Sequence, residues 1–323
     1  MGSVIDSEPS DLLSRAREGS RAALARLITY VEGTGHQHLD TAALVYAQRA
    51  PHVVGLTGPP GAGKSSLSDR LITTALAHGS FDGAAPFERV AVLCVDPSSP
   101  FSGGALLGDR FRMQRHATDD RVYIRSMATR GHLGGLSLAV PDAVRVLGAA
   151  GFELVILETV GVGQMEVDVA STADTTVVVV NPGWGDALQA EKAGILEVAD
   201  IFVINKADRV GAIETRRDLE RMMDMGPHVA WRPPIIETVA TDGRGVDDLW
   251  SALVAHHRFL AAGPREEHRR ARASLELDRV LGALLHEKVR SGDGARRYDE
   301  QLDALLAGTT DPYRAARALL FEE

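Results

Sequence analysis

The stretch GLTGPPGAGKSSL, Gly55 to Leu67, restricts this chain more than any other. Gly58-Pro59-Pro60-Gly61-Ala62-Gly63-Lys64-Ser65 satisfies G-x-x-x-x-G-K-[ST]. It lies after the apolar run HVVGLT (52–57) and before a helical apolar pattern from Leu67 to Ala77. A phosphate loop works only in that setting. The glycines let the backbone curl so that its amides face phosphate oxygens, and the helix that follows contributes the positive end of its dipole. Lysine reaches the outer phosphates and the serine hydroxyl reaches Mg²⁺. Pro60, Gly61, Ala62, Gly63, Lys64, Ser65 and Ser66 are therefore the candidate phosphate-binding residues, with Lys64 also a catalytic candidate and Ser65 a metal ligand.

The loop demands a sheet behind it, and the sequence supplies the strands. RVAVLCVD (89–96), ELVILE (153–158), TTVVVVN (175–181), DIFVIN (200–205) and PIIETVA (234–240) are short β-branched runs without polar alternation, and VYIRSM (122–127) is a further candidate. Strands of that kind are buried on both faces, which predicts an α/β fold with a mostly parallel sheet between helices. From Pro9 to about Arg49 the pattern is helical, with Leu24, Leu27, Ile28 and Val31 at spacings of three and four after a capping Ser20. Three segments are expected: a helical N-terminal extension (1–49), the phosphate-loop domain (50–262) and a helical C-terminal arm (263–323). The arm carries a stripe of Leu277, Leu281, Leu284 and Leu285 and is too thin for a core of its own, so a second copy of the chain is its expected partner.

The base that accompanies the phosphates is read elsewhere. Asn205-Lys206-Ala207-Asp208 follows IFVIN at the carboxyl end of the sheet, where ligands of open α/β sheets collect. A carboxylate at Asp208 accepts from guanine N1–H and the exocyclic N2–H₂, whereas adenine offers an acceptor at N1 and no amine at C2. GTP and GDP are thus preferred to ATP. Thr238, Val239 and Ala240, after the last strand, are placed to close over the base through backbone amides. Glu158-Thr159-Val160-Gly161 stands where GTPases carry D-x-x-G, with Gly161 offering its amide to the γ-phosphate. Glu158 and Asp96, each ending a strand, are acids that can approach Mg²⁺ directly or through water.

Composition narrows the class. The formal net charge of −9 disfavours nucleic acid, whose binding rests on Lys and Arg. No run approaches the roughly 18 apolar residues of a membrane span. Cys94 is the one cysteine, which leaves no intrachain disulfide and fits a reducing compartment. The opening MGSVIDSEPSDLL has neither a secretory nor a transit pattern. A cytoplasmic protein is expected. His256, His257, His268 and His286 are spread over the C-terminal helices without a ligand pattern, which argues against a metal store.

Several longer motifs resemble one family. DPSSPFSGGALLGDR (96–110), RGHLGGLS (130–137), ETVGVGQ (158–164), GDALQAEKAGILEVADIFVINKAD (185–208) and ATDGRGVDDLW (240–250) are similar to those of the methylmalonyl-CoA mutase-associated GTPases. These form the MeaB/ArgK branch of the phosphate-loop GTPases marked by a glutamate in place of the D-x-x-G aspartate. The likeness runs from about residue 10 to about residue 320. It implies a homodimeric GTPase, slow alone and stimulated by its partner. That partner would be a coenzyme B12-dependent acyl-CoA mutase, whose adenosylcobalamin loading the GTPase gates and which it protects. By the same likeness Asp96, Asp109 and Glu158 match acids of the magnesium region, and Asp186, Gln189 and Lys192 fall in a mobile loop thought to relay the nucleotide state. Two positions depart from the pattern: Met165 follows Gln164 where serine is common, and Val162 stands where Ras-like proteins carry the glutamine that orients water. Other readings of the same fold are a nickel-inserting GTPase, a small-molecule kinase and a scaffold without turnover. Asp208 weighs against the kinase, the missing Cys and His ligands against nickel, and the full set of phosphate and Mg²⁺ groups against the scaffold.

Overall fold

The structure is a computed structural model that describes residues 8–33, 35–81, 87–96, 113–116, 118–128, 139–159, 169, 171–183, 198–226, 229–263 and 265–321. The chain divides into two compact units, Met1–Arg265 and Glu266–Glu323.

In the first unit the strands are β1 (His52–Thr57), β2 (Val90–Asp96), β3 (Val122–Ala128), β4 (Leu154–Thr159), β5 (Thr175–Val180), β6 (Ile201–Asn205) and β7 (Ile235–Thr238). They form one sheet in the order β3-β2-β4-β1-β5-β6-β7, every adjacent pair parallel. VYIRSM is thus a strand, at one edge. The helices are α1 (Pro9–Arg17), α2 (Arg21–Glu32), α3 (His36–Tyr46), α4 (Lys64–His78), α5 (Ala139–Ala149), α6 (Ala212–Met225) and α7 (Val246–Ala261).

Burial on both faces explains the unalternating strands. Odd positions such as Val53, Leu93, Val155 and Leu157 pack under Leu12, Leu27, Ile28 and Leu147 of α1, α2 and α5. Even positions such as Val54, Leu56, Cys94 and Ile156 pack under Leu67, Leu71 and Ile72 of α4 and Leu249 and Leu253 of α7. Beside them, Val178, Val180, Phe202 and Ile204 meet Leu219 of α6. Each such side chain taken from water contributes roughly 1.5–3 kcal/mol before the cost of ordering the chain. The N-terminal helices are part of this core, and Ser20 caps α2 by accepting from Ala23 N at 3.3 Å.

The second unit contains α8 (Arg265–Arg290), α9 (Asp293–Leu306) and α10 (Pro312–Phe321). Arg297 of α9 donates to the Ala318 carbonyl of α10, and the Arg290 guanidinium lies 3.7 Å from the Tyr298 ring centroid. Among its described residues only Ala315 is buried, while Leu277, Leu281, Leu284 and Leu285 are exposed.

Candidate nucleotide site

At the carboxyl edge of the sheet β1 lies between β4 and β5, with Leu56 in register with Glu158. The chain that leaves β1 therefore enters a crevice between two strands that come much later in sequence, the position at which open α/β sheets bind ligands. Two glycines make the path possible. A Cβ on Gly58, at φ +128°, would lie 2.1 Å from the Val179 carbonyl oxygen, and one on Gly63, at φ +96°, would lie 2.3 Å from Asn205 Nδ2.

The loop is held by its carbonyls. Lys64 Nζ donates to Gly58 O at 2.6 Å and Pro59 O at 3.1 Å. Lys206 Nζ donates to Gly61 O at 2.6 Å, Asn181 Nδ2 to the same oxygen at 3.3 Å and Asn205 Nδ2 to Ala62 O at 2.7 Å. With carbonyls tied back in this way, α4 begins at Lys64 behind a left-handed Gly63 that gives no side-chain cap. Gly63 has no side chain with which to cap the first-turn amides of Lys64, Ser65 and Ser66, and an anion is the partner such a helix end selects. The site is suited to phosphate groups.

Beside it stands a buried acid. Glu158, 1% exposed, accepts from Ser65 Oγ through Oε1 at 2.5 Å and from Ser68 Oγ through Oε2 at 2.8 Å. A hydroxyl and a carboxylate oxygen in contact are hard donors of the kind Mg²⁺ takes, so the residues present fit that ion. Asp96 ends β2 at the same edge, in register with Ala128.

The segment Asn205-Lys206-Ala207-Asp208 is braced from two sides. Asn205 Oδ1 accepts from Thr238 Oγ1 and from Ala240 N, both at 3.1 Å, and Ala207 N donates to Thr238 O at 3.0 Å. Lys206 adopts φ +59°, a left-handed conformation uncommon for lysine that costs about 1 kcal/mol and accompanies the reach of its ammonium to the loop. Asp208 is exposed on the turn that follows. From α4, Arg70 donates through Nε to Ala240 O at 2.9 Å and through Nη2 to Thr241 O at 2.5 Å. The Asp242 carboxyl of that loop is held below the usual carboxylate range, first by the Arg244 backbone N–H and then by its guanidinium.

Within the protein itself, Val239 N donates to Arg244 O at 3.0 Å and Ala240 N to Asn205 Oδ1 at 3.1 Å. Both amides shape the loop, because the turn into α7 folds Arg244 back onto Val239 and Asn205 reaches across from β6. Sequence reasoning missed Ser68, Asn181 and Arg70. Asn181 had a signal, since it ends the run TTVVVVN at the carboxyl edge, whereas Ser68 and Arg70 belong to no motif. Asp109, Gly161, Asp186, Gln189 and Lys192 lie outside the described residues, as does the Asp96 side chain.

At the amino edge the structure gathers histidines that the sequence left apart. His52 of β1 contacts His257 of α7 (Nδ1 to Nδ1, 3.2 Å) and Thr175 of β5 (3.3 Å). Thr175 in turn contacts His256 Nδ1 at 2.9 Å, and His256 Nε2 lies 3.3 Å from Asp200 Oδ1. All three rings are buried, so this is a polar seam within the core.

Comparison with known proteins gives a consistent setting for this geometry. The family model for methylmalonyl Co-A mutase-associated GTPase MeaB matches residues 24–293. A Pyrococcus horikoshii protein is 46% identical over 316 residues, 96% of each chain. GTPase ArgK of Escherichia coli is 34% identical over 324 residues, 96% of this chain and 95% of that one. The mitochondrial methylmalonic aciduria type A homolog of Mus musculus is 33% identical over 327 residues, 94% of this chain and 76% of that one. Among solved structures, an LAO/AO transport system kinase superposes with a TM-score of 0.71 at 26% identity, covering 98% of both chains. Among the described residues no helix is long and apolar enough to cross a membrane.

Proposed function

Since the chain belongs to the methylmalonyl-CoA mutase-associated GTPase family, we propose that it is a GTP-hydrolysing switch for a coenzyme B12-dependent methylmalonyl-CoA mutase or related acyl-CoA mutase. It gates adenosylcobalamin loading and protects the loaded mutase. The observation that carries the nucleotide chemistry is the buried contact of Glu158 with Ser65, which sets an acid on β4 against the hydroxyl of the phosphate loop. The mutase rests on the family description and on the name of the mouse relative.

In this reading Asp208 selects guanine, while Lys64 and the first-turn amides of α4 hold the phosphates. Ser65 and Glu158 hold Mg²⁺, with Asp96 and Asp109 contributing further oxygens. Bound there, Mg²⁺ supplies charge neutralisation across the outer phosphates. Gly161 offers its amide to the γ-phosphate, so hydrolysis breaks that contact and changes what the chain presents to a partner. Val162 supplies no water-orienting side chain, hence hydrolysis is slow until a partner completes the site. Lys192 lies on the segment that couples nucleotide state to the partner, and the protein acts in the cytoplasm as a homodimer.

Steady-state phosphate release with and without the cognate mutase tests the switch. Addition of mutase is expected to raise the rate at least roughly tenfold, about 1.4 kcal/mol of barrier. Lys192→Ala is expected to keep GTP affinity and lose most of that stimulation. An unchanged rate in a demonstrated complex refutes the switch, and full stimulation of Lys192→Ala removes that residue from it.

A further inference from the structure

Ser68 belongs to no nucleotide-binding motif, yet it is fully buried one turn beyond Ser65 on the same face of α4. A serine inside a helix usually turns its hydroxyl back to the carbonyl four residues earlier. Here it donates instead to Glu158 Oε2, at 2.8 Å, while Ser65 donates to Oε1. One helix thus grips both oxygens of one carboxylate. The grip answers a difficulty that comes with the glutamate itself. Where the D-x-x-G pattern has an aspartate, this chain has a side chain longer by one methylene, with one more torsion to fix before its carboxylate can face a cation.

We infer that Ser68 is a positioning residue for Glu158. By holding Oε2 it fixes the carboxylate plane, so that Ser65 Oγ and Glu158 Oε1 form a preset oxygen pair for the divalent cation of the nucleotide complex. Ser68 does not touch the cation; it acts through Glu158. The inference rests on the GTPase reading above and deepens it by naming what sets metal affinity in this site. A hydroxyl that merely satisfied a buried carboxylate would affect stability and leave metal affinity alone. The two roles therefore separate experimentally.

The test uses the full-length protein and its Ser68→Ala, Ser68→Cys and Ser68→Thr variants. Mn²⁺ binding to the GDP complex is followed by the loss of the free-ion electron paramagnetic resonance signal. Nucleotide affinity is measured in excess EDTA, and thermal unfolding is recorded for each protein. Alanine leaves space and cysteine adds bulk, but both remove the strong donor. Each is expected to weaken Mn²⁺ roughly tenfold, the usual cost of losing a partner that orients a metal ligand, and to leave nucleotide affinity in EDTA within about twofold. Threonine keeps the hydroxyl and is expected to restore most of the Mn²⁺ affinity. Unchanged Mn²⁺ binding in folded Ser68→Ala and Ser68→Cys overturns the inference and leaves the GTPase reading standing. Failure of the unaltered protein to bind Mn²⁺ with GDP overturns both.

Discussion

In the proposed function, Asp208 is the residue on which the choice of base turns. It is exposed on the turn after β6, while its neighbours are tied down, Asn205 by Thr238 and Ala240 and Lys206 by the Gly61 carbonyl. The scaffold of the motif is thus rigid and its one carboxylate is left open to the ligand. Two charge-assisted hydrogen bonds to guanine are worth roughly 1.5–3 kcal/mol each. Asp208→Asn is therefore expected to weaken GTP by roughly 3–6 kcal/mol and to shift preference towards xanthosine nucleotides, whose C2 oxygen accepts from an asparagine amide. Isothermal calorimetry with GTP, ATP and XTP measures this, and equal ATP and GTP affinity in the unaltered protein refutes guanine selection.

Among the elements, α4 does most to join the site together. Its first two turns carry Lys64 on the loop carbonyls, Ser65 and Ser68 on Glu158 and Arg70 on the loop after β7. Helix α7 is anchored differently, by His256 and His257 against β1 and β5 at the opposite edge of the sheet. Cutting that seam takes one partner each from Thr175 and Asp200 and empties the buried space of the ring, and a lost buried contact of this kind costs about 1–3 kcal/mol. His256→Ala is accordingly expected to destabilise the chain by roughly 2–4 kcal/mol in urea unfolding, with GTP affinity unchanged because the nucleotide groups lie at the other edge. A large loss of GTP affinity in the folded variant contradicts that separation. The same contrast explains what was legible in the sequence. Strands buried on both faces announce themselves as unbroken apolar runs, and the phosphate loop and N-K-x-D are local, so both were readable. Ser68, Arg70 and the histidine seam depend on pairs far apart in sequence, such as Ser68 with Glu158 and His52 with His257, and no local pattern encodes them. For the same reason a run of residues does not reveal which of its N–H groups are engaged within the fold, as those of Val239 and Ala240 are.

On the scale of the whole molecule, the second unit exposes Leu277, Leu281, Leu284 and Leu285 along α8. An apolar stripe of that length on a helix with no buried residue among those described is expected to be covered by another copy. The full-length protein should be a dimer by light scattering with or without nucleotide, and Leu281→Glu with Leu284→Glu should make it monomeric without altering GTP binding. A monomeric unaltered protein removes the proposal. The strand order has a consequence for synthesis as well. β1 and its phosphate loop come early in the chain, but β1 pairs only with β4 and β5, and the Asn205 that holds Ala62 comes later still. A chain growing on the ribosome therefore carries the GKS loop without its flanking strands until β4 and β5 have left the exit tunnel, and without its Asn205 brace until β6 has followed them.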